Sequence, residues 1–260
     1  MLPKALVIGP MKSGTTWIHE YLATRGDVCL PRTVKETFFF DYRYSDGLRW
    51  YARHFSHYDQ AVHNQVAEVA PSLFHSGMAP ERVRQTLGPV RLVVTWRDPV
   101  ERAWSHYLHI RRRGFGEPSL ERTVELYPEI VTASRYMEQT ARWHSILPKA
   151  QFYWLSIDTL KNEPLEYTRQ LCDALQIPFV HPCQLEFSSS NSASVPASFW
   201  LARVGYLSSR TLRRWDMYWV VNLAKHIGLK SIFFGNPSQA GHTRPEHEDI
   251  VWLRDQIGEL

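Results

Sequence analysis

A chain of 260 residues that is 44% hydrophobic and 22% charged is too long and too apolar to be disordered or fibrous, and it can bury a sizeable core. Its 30 basic against 26 acidic residues leave a net charge of +4, which favours anionic partners but falls well short of a dedicated nucleic-acid binder. No apolar run reaches the roughly 18 residues that span a bilayer, strand-like residues begin almost at Met1, and three scattered cysteines suit a reducing compartment, so a cytoplasmic protein without signal peptide or membrane span is expected.

In chain order, short β-rich runs alternate with longer amphipathic ones. Lys4 to Gly9 is followed by Thr15 to Arg25, Gln65 to Ala70 by Pro80 to Leu87, Arg91 to Trp96 by Pro99 to Arg113, and Gln151 to Ser156 by Pro164 to Leu175. Such alternation predicts an α/β fold with a central parallel sheet and helices on both faces. The chain reads as a single domain over 1–260 with its core at about 4–176. Serine, asparagine and proline accumulate from Ser188 to Ser198, and a looser helical part is expected over about 188–260. There Trp200, Trp215 and Trp219 would pack an amphipathic stretch onto the domain or form a lid. Pro245 to Leu260 reads as a helix without a C-cap signal, which suggests that the natural chain runs further. Two basic clusters, Arg111 to Arg113 and Arg213-Arg214, read as solvated helix faces, with an anionic substrate track as the alternative.

Ligands of such sheets bind beyond the carboxyl ends of the strands, here the loops after Ile8, Ala70, Trp96 and Leu155. The first of these, Gly9-Pro10-Met11-Lys12-Ser13-Gly14-Thr15-Thr16-Trp17, joins a strand to a helix through glycines and anion donors. Glycines let the backbone close round an oxyanion, and the helix N-terminus adds partial positive charge. Gly9, Gly14 and Thr16 fit the nucleotide-triphosphatase pattern G-x-x-x-x-G-K-[ST], but Thr15 stands where that pattern has lysine and the basic residue lies inside the loop at Lys12. With no obvious second carboxylate motif for magnesium, a kinase or ATPase is disfavoured. At the end of another strand, Arg97-Asp98-Pro99 opens a helix, with Asp98 suited to cap it. Arg97 and Ser105, two turns on, are placed to share an anion; the structural alternative is an Arg97 pair with Glu101.

These residues resemble a known family. The run Pro10 to Trp17 is similar to the 5′-phosphosulfate loop of sulfotransferases that use 3′-phosphoadenosine-5′-phosphosulfate (PAPS), and Arg97-Asp98-Pro99 with Ser105 resembles their 3′-phosphate site. Lys35-Glu36-Thr37-Phe38-Phe39-Phe40-Asp41, followed by Gly47-Leu48-Arg49-Trp50-Tyr51, resembles the heparan-sulfate enzymes and their bacterial relatives rather than the cytosolic steroid and phenol enzymes. The resemblance runs from about Ala5 to Gln176 and implies a P-loop-like three-layer fold. It also implies PAPS as co-substrate, its desulfated product PAP, a hydroxyl-bearing acceptor and no metal.

By position, the resemblance implies that Lys12 contacts the bridging oxygen and sulfuryl group. Ser13, Gly14, Thr15 and Thr16 would hold the 5′-phosphate, Trp17 would pack on adenine, and Arg97 with Ser105 would grip the 3′-phosphate. Glu36 falls at the place of the catalytic base, which suits the chemistry, since a neutral hydroxyl needs a carboxylate to take its proton during attack. Lys35 beside it is a candidate for steadying charge on the transferring group.

Several positions depart from the family. Val69 stands where glycan-type enzymes carry a lysine after the residue matching Glu68, so Lys35 or Lys12 would supply that charge. Ser156 stands where cytosolic members place a tyrosine, and Cys172 and Cys183 match the disulfide of the Golgi enzymes poorly. The pairs His54/His57 and His106/His109 lack a third metal ligand, and His19-Glu20 lacks a second histidine at Ala23. Trp50, Tyr51 and Phe55 are expected in the core, while Phe38 is a candidate for lining an acceptor pocket. A P-loop kinase, a non-catalytic nucleotide-binding module and a basic nucleic-acid binder remain as competing readings.

Overall fold

Five strands carry the alternation through: β1 (Ala5–Gly9), β2 (Val28–Cys29), β3 (Gln65–Val69), β4 (Arg91–Trp96) and β5 (Gln151–Ser156). They form one parallel sheet in the order β2-β3-β1-β4-β5. The computed structural model describes residues 1–184, 203, 207, 208, 211, 212, 217 and 244–258. The expected Ser188–Ser198 loop, Arg213-Arg214, Trp200, Trp215 and Trp219 lie outside the described residues.

Side-chain alternation along the strands sets the layers. Leu6, Ile8, Val66, Leu92 and Val94 enter one buried cluster with Trp50 and Tyr51 of α2 (Leu48–Arg53), Val83 of α3 (Ala79–Leu87) and Trp143 of α7 (Tyr136–Ile146). Ala5, Val7, Ala67, Val69 and Val93 enter a second with Trp17, Ile18, Tyr21 and Leu22 of α1 (Thr15–Ala23) and with Tyr167, Leu171 and Leu175 of α9 (Pro164–Leu175). Helices therefore cover both faces, and the three-layer expectation holds. Trp50, Tyr51 and Phe55 are core residues, as expected.

Two segments escape the periodicity. β2 is two residues long, too short to show alternation. α7 precedes β5 and is anchored by the fully buried Trp143, whose indole N–H donates to Phe74 O at 3.0 Å. A third correction concerns the C-terminal helix, His247–Ile257, which has a glycine cap after all: Gly258, at φ 83°, closes it through its N–H to Arg254 O at 3.0 Å.

The chain divides into two compact units, Met1–Arg102 with Thr132–Ser189, and Ala103–Val131 with Ser190–Glu259. The boundary falls within α4 (Pro99–Arg112). In the second unit, Ser119 caps α5 (Leu120–Leu126) by accepting from Arg122 N at 3.2 Å, and Thr123 Oγ1 accepts from Glu117 N at 2.8 Å. All three cysteines are free thiols.

Candidate active site

The loop between β1 and α1 is shaped by backbone demands that only certain residues meet. Gly9 has φ 95°, and a Cβ there would lie 2.6 Å from Pro71 O, so no side chain fits. Lys12 adopts φ 74°, a costly left-handed conformation for a residue with a Cβ, and Gly14, the N-cap of α1, has φ 89°. No side chain caps α1 and no acidic residue occupies its first turn, which leaves its positive end uncompensated. Ser13 and Thr15 are buried, while Lys12 and Thr16 are partly exposed. Ser13 Oγ makes no well-formed hydrogen bond, although it lies close enough to the Tyr136 hydroxyl to influence that phenol.

Around the loop stand residues that its pattern does not announce. Arg102, fully buried, donates from Nη1 to Met11 O at 3.3 Å and from Nε to Ser134 Oγ at 2.6 Å. Leu160 and Ile157 of α8 (Ile157–Asn162) lie 3.4 and 3.7 Å from where a Gly14 Cβ would stand. Ser156 caps that helix by accepting from Asp158 N at 3.1 Å. Trp17 is only 9% exposed, stacked on Tyr21 with ring centroids 5.4 Å apart and edge-on to Tyr167, so core packing occupies most of its ring.

Lys35 and Glu36 join the loop to a carboxylate cluster. Lys35 Nζ donates to Thr16 Oγ1 at 3.1 Å; burial lowers its pKa, while Glu36 and Glu20 act in the opposite sense. Glu36 Oε1 accepts from Ser72 N at 3.1 Å and from Ser72 Oγ at 2.5 Å. Burial, joined by the nearby Asp41 and Glu68 carboxylates and opposed by the Ser72 donors, pushes its pKa up to about 8. Glu68 is anchored by Thr37 N and Oγ1, each at 2.7 Å from Oε1, and by the Tyr51 hydroxyl, 2.7 Å from Oε2. Because Thr37 follows Glu36 directly, Glu68 fixes the backbone that presents the catalytic candidate. Val69, where a family lysine was expected, points into the core on the α1 and α9 side.

At the end of β4, Arg97 donates from Nε and Nη2 to Glu101 Oε2 at 3.1 and 2.9 Å, the structural pairing weighed above. The pair is solvent-facing, with the two side chains 24% and 55% exposed. The Tyr136 hydroxyl clamps the Arg97 backbone, donating to its carbonyl at 3.0 Å and lying 3.3 Å from its N–H. Ser105 lies on α4 in the other unit and is half-buried. Among the described residues, no group of three or more His, Cys, Asp or Glu is placed to hold a metal ion, and no helix is long and apolar enough to cross a membrane.

Residues 2–209 match the family model described as Sulfotransferase domain. This chain belongs to the sulfotransferase family. Over 108 residues, 41% of this chain and 22% of the relative, the domain is 37% identical to the "Membrane-associated sulfotransferase kil1" of Dictyostelium discoideum. Over 185 residues, 67% of this chain and 46% of the relative, it is 29% identical to the mouse "Heparan sulfate glucosamine 3-O-sulfotransferase 3A1". It thus spans less than half the length of these curated relatives. A solved sulfotransferase from Alicyclobacillus acidocaldarius shares the fold, with TM-score 0.59 at 17% identity over 82% of this chain and 94% of that one.

Of the residues marked from the sequence of this sulfotransferase domain, Lys12, Ser13 and Gly14 lie in the loop, Thr15 and Thr16 open α1 directly after it, and Lys35 reaches them through Thr16. Glu36 is the next residue. Sequence reasoning missed Ser72, Arg102 and Tyr136 as supports. Ser72 sits one residue after the proline that presses on Gly9, a link visible only in three dimensions.

Proposed function

We propose that this domain transfers the sulfuryl group of PAPS to a hydroxyl of a carbohydrate or small natural product. The observation that carries this reading is the Lys35 Nζ–Thr16 Oγ1 contact at 3.1 Å, which brings the phosphate loop against the residue preceding the half-buried Glu36. A donor site and a base thus adjoin each other.

In this reading the loop N–H groups, Ser13, Thr15, Thr16 and the α1 terminus hold the 5′-phosphate, and Arg97 turns from Glu101 to the 3′-phosphate. Ser105 is assigned to the same phosphate on sequence resemblance alone. Glu36 takes the acceptor proton as the acceptor oxygen bonds to sulfur and the bond from sulfur to the phosphate oxygen breaks. Lys12, with Lys35 behind Thr16, neutralises the charge released on that oxygen. The work is positioning and charge neutralisation, as in phosphoryl transfer. The three free thiols favour a reducing setting such as a bacterial cytoplasm.

Calorimetric titration with PAP, run beside ATP with magnesium, tests the donor site. PAP should bind, and Lys12→Ala and Arg97→Ala should each weaken it by about tenfold. Undiminished PAP binding in both variants overturns the site; preference for ATP with magnesium restores the kinase reading.

A further inference from the structure

Ser72 Oγ lies within hydrogen-bond distance of two carboxyl oxygens at once, Glu36 Oε1 at 2.5 Å and Asp41 Oδ2. A serine hydroxyl carries one hydrogen and can donate it to only one of them. The second contact forms only if the other carboxyl carries a proton and donates to the serine oxygen. Two ionised carboxylates facing one hydroxyl in a buried pocket would leave one oxygen pressed against a lone pair with no hydrogen between them.

From this geometry, and resting on the reading of Glu36 as base, we propose that Glu36 and Asp41 share a single proton across the Ser72 hydroxyl, making Ser72 and Asp41 positioning residues for the base. With the proton on Asp41, the chain runs Asp41 O–H to Ser72 O–H to Glu36 carboxylate, and Glu36 is ready to accept. With the proton on Glu36, the same chain runs backwards and the base is silent. The hydrogen-bond donors favour the first arrangement, whereas burial of Glu36 draws the proton toward the second, so the pair exchanges between them. Glu36 Oε1 already receives two donors, Ser72 N and Oγ, as a carboxylate requires. Asp41 Oδ1 is buried without a well-formed partner, Ser76 lying close enough only to temper the upward shift that burial imposes on Asp41. During transfer the acceptor O–H bond breaks and its proton goes to Glu36, so the pair then holds two protons and returns one to solvent.

Three other charged groups face the pair. Lys35 lies beside Glu36 and favours its ionised form. Arg82 donates to Phe40 O and Asp41 O at 2.9 and 2.5 Å and acts on the Asp41 carboxyl through space. Glu68, facing from β3, has three donors of its own and no share in the Ser72 hydroxyl.

Carboxyl-carbon NMR titration of protein labelled at glutamate and aspartate tests the bridge without needing an acceptor. Glu36→Gln and Asp41→Asn assign the two signals. In the wild type both signals should report a common alkaline midpoint. Ser72→Ala should uncouple them and move the Glu36 midpoint up by about one pH unit, because a donor to its charged form is lost. Ser72→Thr, which keeps the hydroxyl, should restore the coupling. Asp41→Asn removes a neighbouring charge yet keeps a donor toward Ser72, and should move Glu36 in the opposite direction. Independent titration in the wild type, or midpoints unmoved by Ser72→Ala and Asp41→Asn, overturns the proposal. A failure of the donor reading shows separately, as absent PAP binding in the calorimeter while the coupled titration persists.

Discussion

The loop after β1 and the pocket after β3 manage charge in opposite ways. The loop uses backbone: two glycines and Lys12 with positive φ, and a helix terminus with no side-chain cap and no acidic residue in its first turn. The pocket uses side chains: Glu36, Asp41 and Glu68 are held by Ser72, Thr37 and Tyr51, and burial raises the pKa of all three. The first presents an uncapped helix end, and the second raises the pKa of its carboxyls by burial. The two are set side by side, so a charge arriving at the loop meets a group whose ionisation is already constrained.

The sharpest way to break this contrast is Glu36→Gln, which keeps shape but removes the proposed base. PAPS turnover with any competent acceptor should fall about a thousandfold, while PAP binding measured by calorimetry stays within twofold. Gly9→Ala attacks the loop instead: with φ 95° and Pro71 O in the way, the variant should lose about 3 kcal/mol in urea denaturation.

Stability against pH separates the regions further. The folded-state pKa of Glu36, about 8, lies above its ordinary 4.5, so its contribution is full below 4.5 and is lost as pH rises through 8. Wild-type stability should therefore decline across that window, and Glu36→Gln should flatten the slope. His19 and His75 behave oppositely: burial depresses each to about 4, so their contribution is present above 6.5 and lost as pH falls through 4. His75→Gln should soften the acid limb of the same denaturation series. The smallest effect is expected from Glu101→Gln. Freeing Arg97 from an exposed partner worth about 0.2 to 1 kcal/mol should tighten PAP binding by about 1.4- to fivefold in calorimetric titration.

The same contrast explains what could be read in advance. The loop was legible because its chemistry is written locally: glycines where φ is positive, hydroxyls and Lys12 between them, a helix immediately after. The strands β1, β3, β4 and β5 were legible for a similar reason, since buried parallel strands form compact apolar runs. The carboxylate pocket was legible only in part. Glu36 stood out by resemblance, but its partnership with Ser72 joins residues 36 positions apart and that of Asp41 joins residues 31 apart. Neither leaves a periodic trace. Arg102 looked like one more polar residue on an amphipathic helix, and only its complete burial reveals that it braces Met11. Trp17 shows the reverse case, a motif residue whose ring is mostly spent on Tyr21 and Tyr167.

Where Gly9 meets Pro71, main chain touches main chain, and that seam is indifferent to which side chains surround it. The turn bearing Ser72, and with it the grip on Glu36, is thereby indexed to the donor loop before any ligand arrives. On the proposed reading, loops further out can change their residues to fit a different acceptor without altering the distance between Glu36 and the loop after β1.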